Sequence, residues 1–273
     1  MPNTYVLYNK THDSCCAAWI AKVSRGAGSQ RFFTQVFNEE NYASFQICED
    51  DTIFFMDCLF NPDIMRPIYC KNAIALIGCN PALEEQAMEL KRKKLAQVEW
   101  DSRSSTCIQA WKFFKGSGSE PLFFVKYIDE LLRGVRSMPF IRDMKVVLQS
   151  YPPESKTYST LFNMKLTDLL QEIVPLRRLL DNLAIEAAST CTFNYQNYPI
   201  IVCSSPFLLE EILETLIIQY PTAIGIQPRK NTAIVHIKSN KEIVDYKEYN
   251  PVGTKNYVRF SVDKEALEEI TKP

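Results

Sequence analysis

Four short apolar runs in the first 80 residues constrain this chain most. Residues 4–8 (TYVLY), 44–48 (SFQIC), 53–57 (IFFMD) and 73–77 (AIALI) are rich in branched and aromatic types and read as buried strands. Between the first two, the pattern predicts a helix from Asp13 to about Lys22, with Cys15, Cys16, Trp19 and Ile20 on its apolar side and Asp13 as its cap. Strand–helix–strand order requires parallel crossovers and therefore an open α/β sheet. Ligands of such sheets sit beyond the C-terminal strand ends. Asp13, Asp57 and the Gly78-Cys79-Asn80 segment all fall there, so they are expected to line one crevice.

A helix over 81–96 opens at Pro81, with acids early and bases late. Two more helices are expected near 103–114 and 121–133, with KGSGSE as the loop between them. Residues 157–189 read as a long helical stretch interrupted at Pro175. The pattern then shortens. Strands at 199–205, 223–227, 233–239 and 257–262 alternate with helices from Ser205-Pro206 to about Tyr220 and over 263–271. The expected fold class is α/β: a parallel-sheet domain over 1–155, a helical connector over 156–190 and a smaller α+β domain over 191–273.

Hydrophobic residues make up 46% of the chain and charged residues 23%, enough apolar content for real cores. The net charge of −1 gives no general pull on nucleic acid, so any polyanion site must be a local basic patch. No window approaches the roughly 18 apolar residues of a membrane span, and MPNTYVLYNK lacks the pattern of a signal peptide. Nine scattered cysteines without a CxxC pair are read as free thiols, so a cytoplasmic protein without a membrane partner is expected.

Several segments, in order, resemble the motifs of the DHH phosphoesterases, the two-metal family that includes RecJ-type nucleases, oligoribonucleases and exopolyphosphatases. VLYNKTHDSCCAAWIAK is similar to the first motif, with Asp13, Ala17, Ala18 and Trp19 in place, Tyr8 where the family has a metal-binding His, and Ser14 for a Gly. IFFMDCLFNPDIM resembles the second, an apolar strand ending in a metal-bridging Asp, here Asp57. AIALIGCNPALEEQ takes the place of the Asp-His-His signature, with Gly78, Cys79 and Asn80 replacing all three residues. FVKYIDELL resembles the fourth motif through Asp129. In the C-terminal part, HIKS puts Lys238 where the associated domain carries an Arg, and NPVGTKNYVRF, with Lys255 and Asn256, lies where a glycine-rich loop ends in His.

The resemblance implies one Mn or Mg ion held by Asp13, Asp57 and Asp129, with His12 or Cys79 as replacement ligands, and phosphate contacts from Lys238, Lys255 and Arg229. Two-metal hydrolysis needs ligands on both ions to clamp the phosphoryl oxygen and activate water. With only His12 and His236 in the chain, a second ion has too few. The expectation is a catalytically degraded member that binds a nucleotide, a short oligonucleotide or a protein partner in or near the interdomain cleft, with a homodimer as a compatible state. The alternative is a divergent metal-dependent phosphodiesterase or exonuclease.

Plainer readings stand beside these. Asp13 serves equally well as a helix cap and Asp129 as a solvated helix residue. His12 reads as an exposed loop residue and His236 as a surface or packing residue, while Phe32, Phe33, Phe54 and Phe55 are base-stacking candidates whose commoner use is core packing.

Overall fold

The computed structural model describes residues 2–25, 31–37, 47–135, 137–194, 196–243, 246, 249, 251–254 and 256–272. The chain divides into two compact units, Met1–Gln171 and Glu172–Pro273.

The first unit is built on a parallel sheet in the order β2-β1-β3-β4-β5, from β1 (Thr4–Tyr8), β2 (Phe32–Val36), β3 (Thr52–Met56), β4 (Ala73–Gly78) and β5 (Gln97–Trp100). Helices α1 (His12–Arg25), α2 (Pro62–Tyr69), α3 (Pro81–Arg92), α4 (Thr106–Lys115), α5 (Phe123–Arg133), α6 (Ile141–Ser150) and α7 (Ser155–Asn163) complete it. Because side chains alternate along a strand, one face carries Tyr5, Leu7, Ile53, Phe55, Leu76 and Trp100 into a core with Met65, Ile68, Ala87 and Leu90 of α2 and α3. The intervening strand residues Val6, Phe54, Met56 and Ile77 are buried too, which is why these strands read as continuous apolar runs. Helix α1 is buried from Asp13 through Ala21, and its alanines at 17, 18 and 21 let α4 pack close against it.

Part of the expected strand at 44–48 lies outside the described residues; Ile47 and Cys48 are not in a strand. The parallel partner of β1 on that side is β2, at RFFTQV. It is an edge strand with exposed positions, so its burial pattern lacks the apolar run that marks its neighbours. The break in the long helical stretch also moves: α8 (Leu166–Ala188) runs through Pro175, and the interruption falls at Met164–Lys165. Pro175 and Gln171, whose carbonyl loses its partner, are both exposed, so the freed group falls on a solvent-facing stretch of the helix.

The second unit carries a mixed sheet in the order β10-β11-β9-β8-β7-β6, from β6 (Thr192–Phe193), β7 (Pro199–Val202), β8 (Thr222–Pro228), β9 (Ala233–Ser239), β10 (Val252–Thr254) and β11 (Tyr257–Val262). Only the β7–β8 pair is parallel, joined by the crossover helix α9 (Pro206–Gln219). Ile200, Ile224, Val235, Ile237 and Phe260 face a core closed by Ile270 of α10 (Lys264–Thr271). Ile201 and Ala223 face Leu209, Ile212, Leu213 and Leu216 of α9.

Candidate functional site

Asp13, Asp57 and Asp129 each act as an internal anion on backbone amides. Asp13, the second residue of α1, is 3% exposed; its Oδ2 accepts from Thr106 N at 2.8 Å and its Oδ1 from Cys107 N at 2.8 Å. Asp129 Oδ1 accepts from Ser105 N at 2.9 Å, and Ile108 N donates to the Ser105 hydroxyl at 3.4 Å. All four N–H groups that a helix leaves without internal partners are thereby satisfied at the start of α4. Asp57 closes β3 in a left-handed conformation, φ 57°, which Asp tolerates better than most residues. Its Oδ1 accepts from Cys79 N at 2.9 Å and Asn80 N at 2.8 Å, the amides leading into α3.

Burial raises the Asp13 carboxyl above its ordinary range, against the pull of the Thr106 and Cys107 amides. Burial also raises Asp57, opposed by the Cys79 and Asn80 amides and assisted by the charge of Asp13. Cys79 lies between these two acids. Its Sγ is 3.7 Å from Asp13 Oδ2 and accepts from the Thr106 hydroxyl at 3.3 Å. Burial first, then the two carboxylates, push its thiol up to about 12, so it is a protonated donor rather than a thiolate.

The second oxygen of Asp129 is taken by Arg133, with Nε at 2.9 Å and an Nη at 2.5 Å. His12 turns to Tyr158 of α7, its Nδ1 2.8 Å from the phenol oxygen. Tyr8, in the place of the family's metal-binding His, is buried.

This donor set does not fit a metal cluster. Among the described residues, no group of three or more His, Cys, Asp and Glu side chains is placed to hold a metal ion. The carboxylates have their amide donors, Asp129 has a guanidinium, and a protonated thiol stands beside Asp13. Of the three acids, Asp13 and Asp57 meet at Cys79, and Asp13 and Asp129 meet at the first turn of α4.

In the second unit, Lys238 does not present a free charge. Its Nζ is 2.8 Å from Glu214 Oε1, with both side chains about a tenth exposed, and lies over the Tyr257 ring. Arg229 sits exposed at the β8–β9 turn, six ladder positions from Lys238, or about 20 Å along the strand. Lys255 lies outside the described residues. His236 is buried and its Nδ1 meets the Tyr257 hydroxyl at 2.6 Å. Of the stacking candidates, Phe54 and Phe55 are core residues, and Phe33 stacks on Tyr5 at the sheet edge.

The Asp129–Arg133 pair was legible in the i, i+4 spacing. Tyr158 and Glu214 carry no such signal, because the chain separation from their partners is large. The nine cysteines are free thiols, and among the described residues no helix is long and apolar enough to cross a membrane.

No protein-family model matches the chain, and no curated protein does. Solved structures do. RecJ from Thermus thermophilus, solved with Mn2+, aligns over 98% of this chain and 50% of its own at 11% identity and a TM-score of 0.50, so this chain spans half of that protein's length. A pGpG-specific phosphodiesterase, PggH from Vibrio cholerae, aligns over 98% and 96% at 11% identity and 0.45. The DHH domain of a member of a ribosomal-protein family aligns over 99% and 84% at 11% identity and 0.49. At 11% identity the likeness to RecJ speaks to the backbone alone: the chain has a fold like that of the part of RecJ it aligns with.

Proposed function

We propose that this chain is a DHH-fold binding protein that has lost metal-dependent hydrolysis and takes a nucleotide or short oligonucleotide as its ligand. The observation that carries the loss is the engagement of Asp13 and Asp57 by the amides of Thr106, Cys107, Cys79 and Asn80. Each amide hydrogen bond takes a lone pair that a metal would otherwise use, which makes these carboxylates weaker ligands than free ones. The phosphate-bearing ligand class is supported by the resemblance of the motifs to enzymes that act on phosphoesters. Arg229 is the phosphate contact assigned among the described residues, since Lys238 is committed to Glu214.

The test is manganese calorimetry run beside hydrolysis of a short RNA and a cyclic dinucleotide. The expected result is no metal-dependent heat and no turnover, with ligand heats retained in the absence of metal. Turnover with manganese that disappears in Asp57→Ala would overturn the reading. One observation favours that second reading, a divergent one-metal phosphodiesterase: the Asp13 and Asp57 charges sense each other across Cys79, and a cation between them would relieve that repulsion.

A further inference from the structure

The second unit contains a groove of about 480 Å³ on the side of the sheet covered by α10, remote from Lys238 along β9. Its floor is aliphatic: Ile200, Ile226, Ala233 and Leu267, with Val202 on one wall, 61% exposed. Its rim carries two cations, Arg229 from the β8–β9 turn and Lys264 from the first turn of α10. Neither makes an ion pair with a described residue. Asp263, the one acid among the described lining residues, turns its carboxylate to Ala266 N at 2.9 Å as the cap of α10.

The volume is that of a small-molecule site, and its chemistry is divided: an apolar floor that gains by losing water and a rim that gains by meeting negative charge. Among the described residues that line it none is aromatic, so they offer no surface on which to stack a base. We infer that this groove is a binding site for a small amphipathic anion, an aliphatic or aryl body bearing one phosphate, sulfonate or carboxylate. The apolar body lies over Ile200, Ile226 and Leu267, and the anionic group reaches Arg229 and Lys264 at the rim. This site does not depend on whether hydrolysis has been lost, but it assigns Arg229 to a different ligand from the nucleotide of the reading above, so displacement by a nucleotide at Arg229 favours that reading over this one.

The test is a fluorescence titration of the whole chain with 8-anilinonaphthalene-1-sulfonate, repeated with the uncharged probe N-phenyl-1-naphthylamine and with octyl phosphate as competitor. Arg229→Glu and Lys264→Glu are the variants; both residues are exposed, and circular dichroism verifies the fold. Each variant is expected to weaken the sulfonate by about tenfold, the worth of one charge-assisted contact, while leaving the neutral probe within about twofold. Octyl phosphate is expected to displace the sulfonate, and Val202→Asp to weaken both probes. Sulfonate binding that is unchanged in both charge variants, or undisturbed by octyl phosphate, would overturn the assignment. Adenosine monophosphate serves as a separate arm: if it displaces the probe as well as octyl phosphate does, the aliphatic floor is not what selects the ligand and the inference fails.

Discussion

His12 and Tyr158, 146 positions apart, are joined twice. The Tyr158 hydroxyl donates to the His12 carbonyl at 2.8 Å and meets His12 Nδ1 at 2.8 Å. Since the phenol proton is spent on the carbonyl, the Nδ1 proton belongs to the imidazole, and burial lowers the histidine's tendency to take a second. The pair ties the start of α1 to α7. Tyr158→Phe deletes both contacts without changing shape, and leaves the imidazole and a carbonyl to find water. A loss of about 1–3 kcal/mol in urea unfolding is expected. An unchanged midpoint would mean that the two bonds contribute nothing beyond packing.

Much of this fold is legible in the residues themselves. The strands β1, β3, β4, β9 and β11 are apolar or alternating, and their periods mark them directly. What escaped was mostly short or exposed, the ten-residue α6 excepted. β2 presents exposed positions, β5 is four residues with two polar ones, and α2 contains Pro62 and Pro67. At the site, the sequence located Asp13, Asp57 and Cys79 at one set of strand ends, but not what they do there. Backbone amides leave no trace in residue identity, so Thr106, Cys107 and Asn80 as donors were invisible, whereas the metal reading came from the resemblance of the motifs that carry the acids.

Asp13→Asn tests the amide clamp. An amide side chain offers one acceptor where Thr106 N and Cys107 N need two, and turns its own donor toward the second. The expected cost is about 1–3 kcal/mol, read from chemical unfolding at neutral pH. In the same measurement, manganese at about 1 mM should leave the wild-type midpoint where it is. A native-state ligand at 100 times its Kd would raise stability by about 2.7 kcal/mol, which is readily seen. A manganese-dependent rise that vanishes in Asp13→Asn would place a metal at this carboxylate after all.

Gly78 stands opposite Trp100 in the β4–β5 ladder, and a Cβ there would lie 2.6 Å from the indole ring. The indole N–H donates to the Asn80 carbonyl at 3.2 Å, while the neighbouring Cys79 and Asn80 amides hold Asp57. Gly78→Ala must therefore shift Trp100 or the segment that positions Asp57. Destabilisation of about 1–3 kcal/mol is expected, the usual cost of overpacking a tight core, together with a changed tryptophan emission. Substitution without either change would show that Trp100 has room to move.

His236 couples the second unit to pH. Its ring is buried beside Tyr257, and its Nε2 has no partner among the described residues. Burial lowers its affinity for a proton, Arg259 lowers it further, and Glu210 opposes them. The unfolded chain, with an imidazole near the ordinary value of about 6.5, takes up a proton at higher pH than the folded one. The stability linked to this group is thus fully present above about pH 6.5 and is lost as the pH falls through the lowered folded value. His236→Phe removes the titration and leaves the Tyr257 hydroxyl without its partner, at a cost of about 1 kcal/mol that should not vary with pH. Unfolding free energies measured from pH 7.5 to 5 should then fall less steeply in the variant than in the wild type. Parallel slopes would show that the imidazole titrates alike in both states. His12, whose proton affinity burial also lowers, adds slope of the same sign, while the raised Asp13 and Asp57 carboxyls add slope of the opposite sign, so His12→Phe in the same series separates the second histidine's share.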